Sequence, residues 1–284
     1  MEGTADDSAP EVSTLACAGD LAPFVHRHMH GTGRDGRPGS LRIPPTGGIF
    51  LSYVPGSPLA VRFSDRTYEG RPRFFIGGQL RREQPLLVSD GRFELIGTEL
   101  TPTGFYRLFG RDASTYTDSI HDLSEHFPGH AAWLDARLDD GAPLAERIAV
   151  IEDLLRKLAA DARETPRVDA AVRLIASRRG VVSVGELAEG VGLTSRQLHR
   201  RFVRAVGVSP KHYAKIVQVN EVFGALLAGD YEHIRALALD HGYYDQAHFI
   251  RDFQRFVGMS PMRFLDSGSA FLRTFFGRAS RLEG

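Results

Sequence analysis

Residues 200–210 read Arg-Arg-Phe-Val-Arg-Ala-Val-Gly-Val-Ser-Pro, and residues 251–261 read Arg-Asp-Phe-Gln-Arg-Phe-Val-Gly-Met-Ser-Pro. Seven of the eleven positions are identical when the two segments are aligned at an offset of 51 residues. Self-similarity at a fixed offset indicates one supersecondary unit that is used twice. The repeat therefore predicts that the last part of the chain holds two copies of one small fold.

The sequence around the first segment predicts a helix, a tight turn and a second helix. Ser183 and Glu186 match a capping box at the start of the first helix, and Thr194 and Gln197 match one at the start of the second. Gly192 supplies a residue that tolerates the turn conformation between them. We expect this first unit to occupy about residues 183–205.

The second copy predicts the same arrangement over about residues 234–256. Its first helix runs over Ile234–His241, Gly242 makes the turn, and Asp245 caps the second helix. Between the copies, Ser209-Pro210 predicts the start of a long helix that ends near Gly229. We expect this helix to be a rigid spacer that holds the two units at a fixed separation.

The second helix of each unit has an apolar back and a polar front. In the first unit, Leu198 and Phe202 face inward, and in the second unit Phe249 and Phe253 do so. The outward positions of the two helices are Arg196, His199, Arg200, Gln246, Ala247, Ile250 and Arg251. A helix that reads the major groove of DNA needs such a face of long hydrogen-bonding side chains.

The stretch Gly242–Pro261 and the stretch Leu187–Phe202 resemble the two units of the AraC/XylS family of bacterial transcription regulators. The resemblance covers roughly residues 168–266. It implies a seven-helix domain whose two recognition helices enter successive major grooves on one face of promoter DNA. It also implies that the seven outward side chains contact bases, although Ala247 and Ile250 can offer only apolar contact to a thymine methyl group. The predicted DNA-binding set further includes Gln197 and, for a phosphate contact, Arg204.

The net charge of zero hides an uneven distribution of charge along the chain. From Arg167 to the end there are 17 Lys and Arg against 11 Asp and Glu, a net charge of +6, and the preceding residues carry −6. The window Ser195–Lys215 holds six basic residues and no acidic one. This asymmetry is typical of a chain in which one half binds a polyanion, and we expect phosphate attraction to be strongest at the first unit.

The first half of the chain predicts a β-rich domain. Short apolar runs separated by Gly, Pro and Asp-Gly indicate strands of a small antiparallel sheet or barrel at Ile49–Val54, Leu59–Phe63, Phe74–Ile76, Leu86–Ser89 and Phe93–Ile96. Helix-period positions follow at Pro102–Phe109, His130–Leu138 and Pro143–Arg163. Residues 41–50 and 104–110 loosely resemble the cupin-like N-terminal domain of one branch of the AraC/XylS family.

These patterns together predict an α+β protein of two domains. A disordered leader over residues 1–20 precedes a cupin-like domain with helices over 21–164, and Thr165-Pro166 separates it from an all-α double helix-turn-helix domain over 167–284. Leu144, Ile148, Ile151, Leu155 and Leu158 form an apolar stripe. This stripe leaves two alternatives open, packing on the protein's own sheet or a coiled-coil dimer interface.

Three other patterns in the sequence do not support a disulfide, a nucleotide site or a metal site. The lone Cys17 excludes an intramolecular disulfide and a multi-cysteine zinc site. The Gly31–Gly36 stretch matches a dinucleotide motif without the helix that such a motif needs. His26, His28 and His30 alternate as they would on one face of a strand, but no carboxylate in a metal-site pattern accompanies them. We therefore expect no catalytic residue, no metal and no cofactor.

The favoured hypothesis is a regulator that responds to an unidentified small-molecule effector. The partners expected are double-stranded promoter DNA and the effector, with RNA polymerase and a second copy of the chain left open. No apolar run reaches the roughly 18–20 residues of a membrane span and no signal peptide is evident, so we expect a cytoplasmic protein. Two alternatives remain, a metal-dependent cupin enzyme fused to a DNA-binding module and a constitutive DNA-binding protein whose N-terminal domain only dimerises.

Overall fold

A computed structural model describes residues 11–33, 39–56, 59–69, 72–81, 84–89, 93–229, 233–267 and 272–274. The strands of the N-terminal domain pair antiparallel in two sheets. The larger sheet has the spatial order β1 (Glu11–Leu15), β2 (Val25–Gly33), β9 (Phe93–Leu100), β4 (Phe50–Tyr53), β7 (Phe74–Gly77) and β10 (Ile120–Asp122). The smaller sheet has the order β3 (Gly39–Arg42), β8 (Leu86–Ser89), β5 (Ala60–Arg62) and β6 (Thr67–Tyr68). The five apolar runs of the sequence are all strands, as predicted.

The two faces of the larger sheet bury different sets of side chains, because successive residues of a strand point to opposite sides. In β9, Ile96 and Leu100 join the core beneath the helices, whereas Phe93 packs in an apolar cluster with residues of the smaller sheet. The first face is covered by α1 (Gly104–Phe109), α2 (Leu123–His126), α3 (Pro128–Asp135) and α4 (Leu144–Ala159). The second face looks toward the smaller sheet.

The apolar stripe of α4 belongs to the protein's own core. Ile148, Ile151 and Leu155 are 8%, 2% and 0% exposed and pack in one cluster with side chains of the larger sheet. Packing on the sheet was one of the two alternatives, and it is the one that the structure bears out. The coiled-coil alternative is wrong for this stripe, since its central side chains have no surface left to offer a partner.

The leader is more ordered than predicted. Glu11–Leu15 form β1, which pairs with β2 along the register Glu11–Thr32 to Leu15–His28, and a 3-10 helix follows at Gly19–Leu21. The prediction of disorder is therefore wrong for residues 11–20, and residues 1–10 lie outside the described part. An alternating but weakly apolar segment such as Glu-Val-Ser-Thr-Leu becomes a strand here because the edge of β2 offers it backbone partners.

The C-terminal domain is all-α, as predicted. Its seven helices in residues 166–267 are α5 (Pro166–Ser177), α6 (Val184–Gly190), α7 (Ser195–Val206), α8 (Pro210–Ala228), α9 (Ile234–Asp240), α10 (Gln246–Val257) and α11 (Pro261–Ser267). The helices α6 and α7 form the first helix-turn-helix unit, and α9 and α10 form the second. Within the described ranges, every helix is too short or too polar to cross a membrane.

The spacer helix α8 lies between the two units and packs against both. Tyr213, Ala214 and Val217 belong to the core of the first unit together with residues of α5, α6 and α7. Ile216, Val219, Phe223 and other residues of α8 belong to the core of the second unit with α9 and α10. Because one helix supplies part of both cores, the two units are held in a fixed relation.

Candidate nucleic-acid interface

The helices α7 and α10 are the two predicted recognition helices and are called the reading helices. The first of them, α7, begins at the predicted capping box. The Thr194 hydroxyl accepts a hydrogen bond from the Gln197 backbone N–H at 3.2 Å, and the Gln197 side-chain oxygen accepts one from the Thr194 N–H at 3.0 Å. Leu198 and Phe202 are fully buried, which fixes the rotation of the helix about its axis. That rotation leaves Arg196, His199 and Arg200 exposed, together with Gln197.

The second reading helix, α10, begins at Asp245, whose carboxylate accepts a hydrogen bond from the His248 N–H at 2.6 Å. Phe249 and Phe253 are fully buried and anchor the helix. Gln246, Ala247 and Arg251 are exposed on the opposite side. Ile250 differs from its predicted outward position, because its side chain is partly buried and packs on the core of the second unit.

The last turn of α7 contacts the N-terminal domain. The backbone oxygen of Gly207, the left-handed residue that ends α7, accepts a hydrogen bond from the Thr117 hydroxyl at 2.7 Å. The exposed Arg204 places its guanidinium carbon 5.5 Å from the centre of the Tyr106 ring, within cation–π range. Arg204 therefore contacts the N-terminal domain in this structure, and its predicted phosphate contact remains a prediction.

The end of α10 also lies against the N-terminal domain. A Cβ added to Gly258, the left-handed residue that ends α10, would lie 2.7 Å from Gln84 Oε1 and 3.2 Å from Arg42 Cδ. The Gln84 side chain is buried at this contact. Both reading helices thus have a free N-terminal portion and a C-terminal end that abuts the same domain.

Ion pairing modifies the distribution of charge that the sequence predicts. Lys215 of the basic window lies 2.8 Å from the Asp252 carboxylate of α10 and donates a hydrogen bond to Gln218 at 2.7 Å. Gln218 in turn donates to the backbone oxygen of His241 at 2.7 Å. Lys215 therefore ties the spacer to the second unit, and the exposed basic side chains that remain in the window Ser195–Lys215 are those of α7 and Lys211.

A cavity of about 120 Å³ lies between the two sheets of the N-terminal domain. One water needs roughly 10–15 Å³ on this measure, so the cavity is large enough for a small organic molecule. Its lining includes Met29, Ile43, Phe50, Phe63, Phe75, Leu87, Phe93 and Leu95. Within the described residues, the only polar side chains in the lining are those of Thr46, Ser52 and Ser119, and none is charged.

Ser119 is backed by a chain of hydrogen-bonding groups. Its hydroxyl lies 2.8 Å from His121 Nε2, His121 Nδ1 lies 3.1 Å from His126 Nε2, and His126 Nδ1 lies 3.0 Å from the Tyr116 hydroxyl. Burial and the neighbouring His126 lower the pKa of His121 below its ordinary value. The ring of His121 is therefore neutral near pH 7, and the polar end of the cavity carries no charge.

The alternating histidines of β2 do not converge on a common point. The irregular pairing between Val25 and Arg27 interrupts the alternation at the start of the strand. His28 is fully buried, with Nε2 3.2 Å from the Glu152 carboxylate and Nδ1 3.0 Å from the Thr98 hydroxyl. His30 Nε2 instead lies 2.7 Å from Glu94. The two rings thus contact carboxylates from different elements and serve to bind β2 to its neighbours.

The cavity wall is continuous with the contact between the domains. A Cβ on Gly47 would lie 3.0 Å from the Tyr213 ring of α8, and the Asn220 amide donates to the Thr46 backbone oxygen at 3.4 Å. Burial, and to a smaller extent the Glu99 carboxylate, raises the pKa of Tyr213 above its ordinary value, so this ring stays neutral. These contacts join residues far apart in the chain, so no local sequence pattern predicts them.

Two family models match the chain. A helix-turn-helix domain matches residues 187–267, and a domain of unknown function (DUF6597) matches residues 13–122. A search of the curated proteins finds no match. The first match covers both reading helices, and the second covers most of the two sheets.

Solved structures similar to this chain include regulators of the AraC type. ToxT from Vibrio cholerae O395 is 10% identical, the match covering 86% of this chain and 98% of ToxT with a TM-score of 0.48. The C-terminal domain of AraT, a response regulator from Geobacillus stearothermophilus, is 22% identical over 37% of this chain and 88% of that one, with a TM-score of 0.35. A protein described as a probable AraC family transcriptional regulator from Rhodopseudomonas palustris CGA009 is 26% identical over 36% of this chain and 96% of that one, with a TM-score of 0.33.

The helix-turn-helix match agrees with the repeated motif, the seven helices and the two exposed reading faces. Residues 187–267 therefore form a helix-turn-helix domain with two units, the architecture that the resemblance to AraC/XylS-type regulators implies.

Proposed function

We propose that this protein is an effector-responsive transcription regulator that reads two successive major grooves of promoter DNA. The observation that carries the proposal is the pair of reading helices, each with an exposed polar N-terminal portion, on one shared spacer helix. The base-contacting set is Arg196, His199, Arg200, Gln246, Ala247 and Arg251, with Gln197 and Arg204 at its edge. The half-buried Ile250 makes apolar contact with a thymine methyl group through the exposed part of its side chain.

The fixed relation of the two units sets the geometry of the DNA site. Two helices that enter successive major grooves on one face of B-DNA lie one helical turn apart, roughly 34 Å or about 10 base pairs. Since the two reading faces carry different side chains, each chain reads an asymmetric site. The first half-site interacts with Arg196 and Arg200 of α7, and the second with Gln246 and Arg251 of α10.

Selection of bound duplexes from a random library, with the full chain, tests this part of the proposal. The expected result is an asymmetric site with two conserved blocks about 10 base pairs apart. Inserting 5 base pairs between the blocks turns the second block to the opposite face of the duplex and should abolish its contribution to affinity. The control duplex keeps the original spacing and changes only the base sequence between the blocks. A selected site with one block would contradict docking of the second unit.

The cavity is the proposed effector site. Its wall is apolar apart from three hydroxyl side chains, so it fits a neutral, largely apolar molecule with a single hydrogen-bonding group near Thr46, Ser52 or Ser119. A ligand with a charged group is disfavoured, because burying a charge without a partner is costly. The cavity wall also contacts α8, which gives the ligand a direct physical connection to both reading units.

A thermal-shift screen of the full chain tests the cavity assignment. Neutral apolar compounds should raise the melting temperature, since a ligand that binds the folded state stabilises it by mass action. Charged analogues of the same shape are the control ligands and should not raise the melting temperature. Gly77→Val is the matched protein variant, because a Cβ there makes ordinary contact with Phe50 at 3.9 Å while further methyl groups occupy cavity space. A shift that persists in Gly77→Val would place the ligand elsewhere.

Action at a promoter also implies a second macromolecular partner and a location in the cell. A regulator bound at a promoter acts by assisting or blocking RNA polymerase, which makes that enzyme the second macromolecular partner. The same role implies a cytoplasmic protein. If the protein acts as a homodimer, a surface other than the stripe of α4 must form the interface, since that stripe is buried.

A further inference from the structure

The turn of the second helix-turn-helix unit is one residue longer than that of the first. The helices α6 and α9 each have seven residues and begin 50 residues apart, whereas α7 and α10 each have twelve and begin 51 apart. The extra residue must therefore lie between the first and second helices of the second unit.

Backbone hydrogen bonds locate this extra residue. The Leu193 N–H donates to the Ala188 oxygen at 2.9 Å, and the Tyr243 N–H donates to the Ala238 oxygen at 3.0 Å, so Leu193 and Tyr243 are equivalent at an offset of 50. The helix caps Thr194 and Asp245 are equivalent at an offset of 51. The residue without a counterpart is Tyr244.

The two adjacent tyrosines of this turn have opposite environments. Tyr243 is 3% exposed, and its ring packs 5.4 Å from the Phe249 ring and 4.7 Å from the Lys215 ammonium nitrogen. It fills the place of Leu193, which packs on the core of the first unit. Tyr244 is 89% exposed, the most exposed large apolar side chain in the described part of the chain. Packing within the fold therefore explains Tyr243 and leaves Tyr244 unexplained.

Tyr244 stands where the proposed DNA backbone would pass. It directly precedes Asp245, the cap of α10, and Gln246 is the first residue of that reading helix. A recognition helix contacts base edges with its N-terminal residues, so the turn before it lies at the rim of the groove, where the phosphates are. A tyrosine hydroxyl is one of the side-chain donors that proteins use toward phosphate oxygens.

The charges of the second unit favour an uncharged donor at this place. The Asp245 carboxylate adjoins Tyr244, and the Asp240 carboxylate ends α9. These carboxylates repel phosphate, and the arginine on the exposed face, Arg251, lies more than one helical turn further along α10. A neutral hydroxyl provides attraction to phosphate at the N-terminal end without adding a cation that would pair with the carboxylates.

We infer that Tyr244 is a DNA-contacting residue whose hydroxyl donates a hydrogen bond to a phosphate oxygen beside the groove that α10 enters. This inference rests on the proposed function, because it requires α10 to dock on DNA. It differs from the phosphate contact predicted for Arg204 in that the donor is neutral. The contact is independent of base sequence and releases no counterion.

The test compares Tyr244→Phe, Tyr244→Ala and the wild-type full chain by fluorescence anisotropy on two duplexes, the selected site and a scrambled duplex of the same length. Met262→Ala is the matched control, since Met262 is also an exposed apolar side chain, at 57%, outside the reading helices. Removing the hydroxyl should weaken binding to both duplexes by about tenfold, the effect of one hydrogen bond to a charged group. Tyr244→Ala should behave like Tyr244→Phe, and Met262→Ala like wild type.

Salt titration supplies the second readout. The slope of log Kd against log salt concentration should be the same for Tyr244→Phe and wild type, because a neutral donor displaces no counterion. Wild-type affinity in Tyr244→Phe, or a reduced salt slope, would overturn the inference. The scrambled duplex keeps this outcome separate from the proposed function, since a phosphate contact is measurable on it even if the wild-type chain prefers no sequence.

Discussion

Replacing Arg200 with alanine tests whether the first reading helix contacts bases. Arg200 is exposed on α7, and the burial of Leu198 and Phe202 holds it on the outward side. The planar guanidinium can donate two hydrogen bonds to the O6 and N7 atoms of one guanine. Because it is already exposed and the helix already formed, little ordering of the backbone opposes that contact.

The size of the effect follows from the chemistry of the contact. One bidentate contact of this kind discriminates against the wrong base by about 1–3 kcal/mol. At about 1.4 kcal/mol for each tenfold change, this range corresponds to a loss of about 5- to 150-fold in affinity for the best site. On site variants in which the contacted base pair is replaced, Arg200→Ala should bind as well as wild type. The preference of Arg200→Ala among the four possible base pairs at that position should also relax.

The assay measures Kd on the selected site, on its three variants at that base pair, and on random DNA. Arg204→Ala is the first comparison, because Arg204 lies one turn further along α7 and reaches toward phosphate or toward Tyr106. It should weaken all sequences alike and reduce the salt slope by about one unit. Arg201→Ala removes the same charge from an exposed neighbouring position and controls for charge alone.

Equal losses on specific and random DNA in Arg200→Ala would refute the base contact and leave Arg200 with an electrostatic role. Circular dichroism must show that the variants have the helix content of wild type, since a disrupted α7 would weaken binding to every duplex. If Arg204→Ala leaves the salt slope unchanged, Arg204 does not reach phosphate. Its contact with Tyr106 would then persist in the complex with DNA.

Further expectations concern the stability of the fold. Leu155→Ala should lower the free energy of unfolding by about 2–5 kcal/mol in urea titrations, because Leu155 is fully buried, whereas a dimer interface would instead show as a change in sedimentation. Burial lowers the pKa of His28 in the folded state, against the opposing effect of Glu152. Below about pH 6.5 the unfolded state therefore binds more protons than the folded state, and the free energy of unfolding should fall as the pH drops. His28→Gln should flatten the decline in Tm between about pH 7 and 5. Gly207→Ala should lower Tm more than Gly192→Ala. Both glycines have positive φ, but only at Gly207 would an added Cβ lie 3.1 Å from Thr117 Oγ1. Equal shifts in Tm would mean that the contact between the domains rearranges at no cost in stability.

The local elements of the C-terminal domain could be predicted in detail because short-range chemistry determines them. Both capping boxes, the left-handed Gly207 and the Asp245 cap are contained in the sequence that they act on. The outward face of α7 followed from the spacing of Leu198 and Phe202 alone. Ile250 shows the limit of this reasoning, since helical spacing places it outward while its size and apolar character let it lean onto the neighbouring core.

The contacts between distant segments could not be predicted in the same way. The edge strand β1 exists because β2 offers it partners, and the interpretation of residues 11–20 as disordered considered only their own composition. The stripe of α4 satisfied two packing arrangements equally well, and only the position of the sheet decides between them. The one-residue difference between the two turns was hidden because the aligned segments start after it, at Arg200 and Arg251.

The places where the N-terminal domain contacts the reading helices adjoin the cavity. Thr117, which donates to Gly207 at the end of α7, is two residues from Ser119, and Gln84, which lies against Gly258 at the end of α10, precedes Pro85. Ser119 and Pro85 both line the cavity. A molecule that widens the cavity can therefore displace segments that abut both reading helices, because a close-packed interior transmits strain. If that displacement changes the affinity for DNA by some factor, linkage requires that DNA change the affinity for the molecule by the same factor. The contacts at Gly207 and Gly258 are thus two positions at which one domain can affect the other, in addition to the contacts of α8 with Thr46 and Gly47. Substitutions at Gly207 and Gly258 should alter the size of the coupling while leaving the cavity and the base-contacting side chains intact.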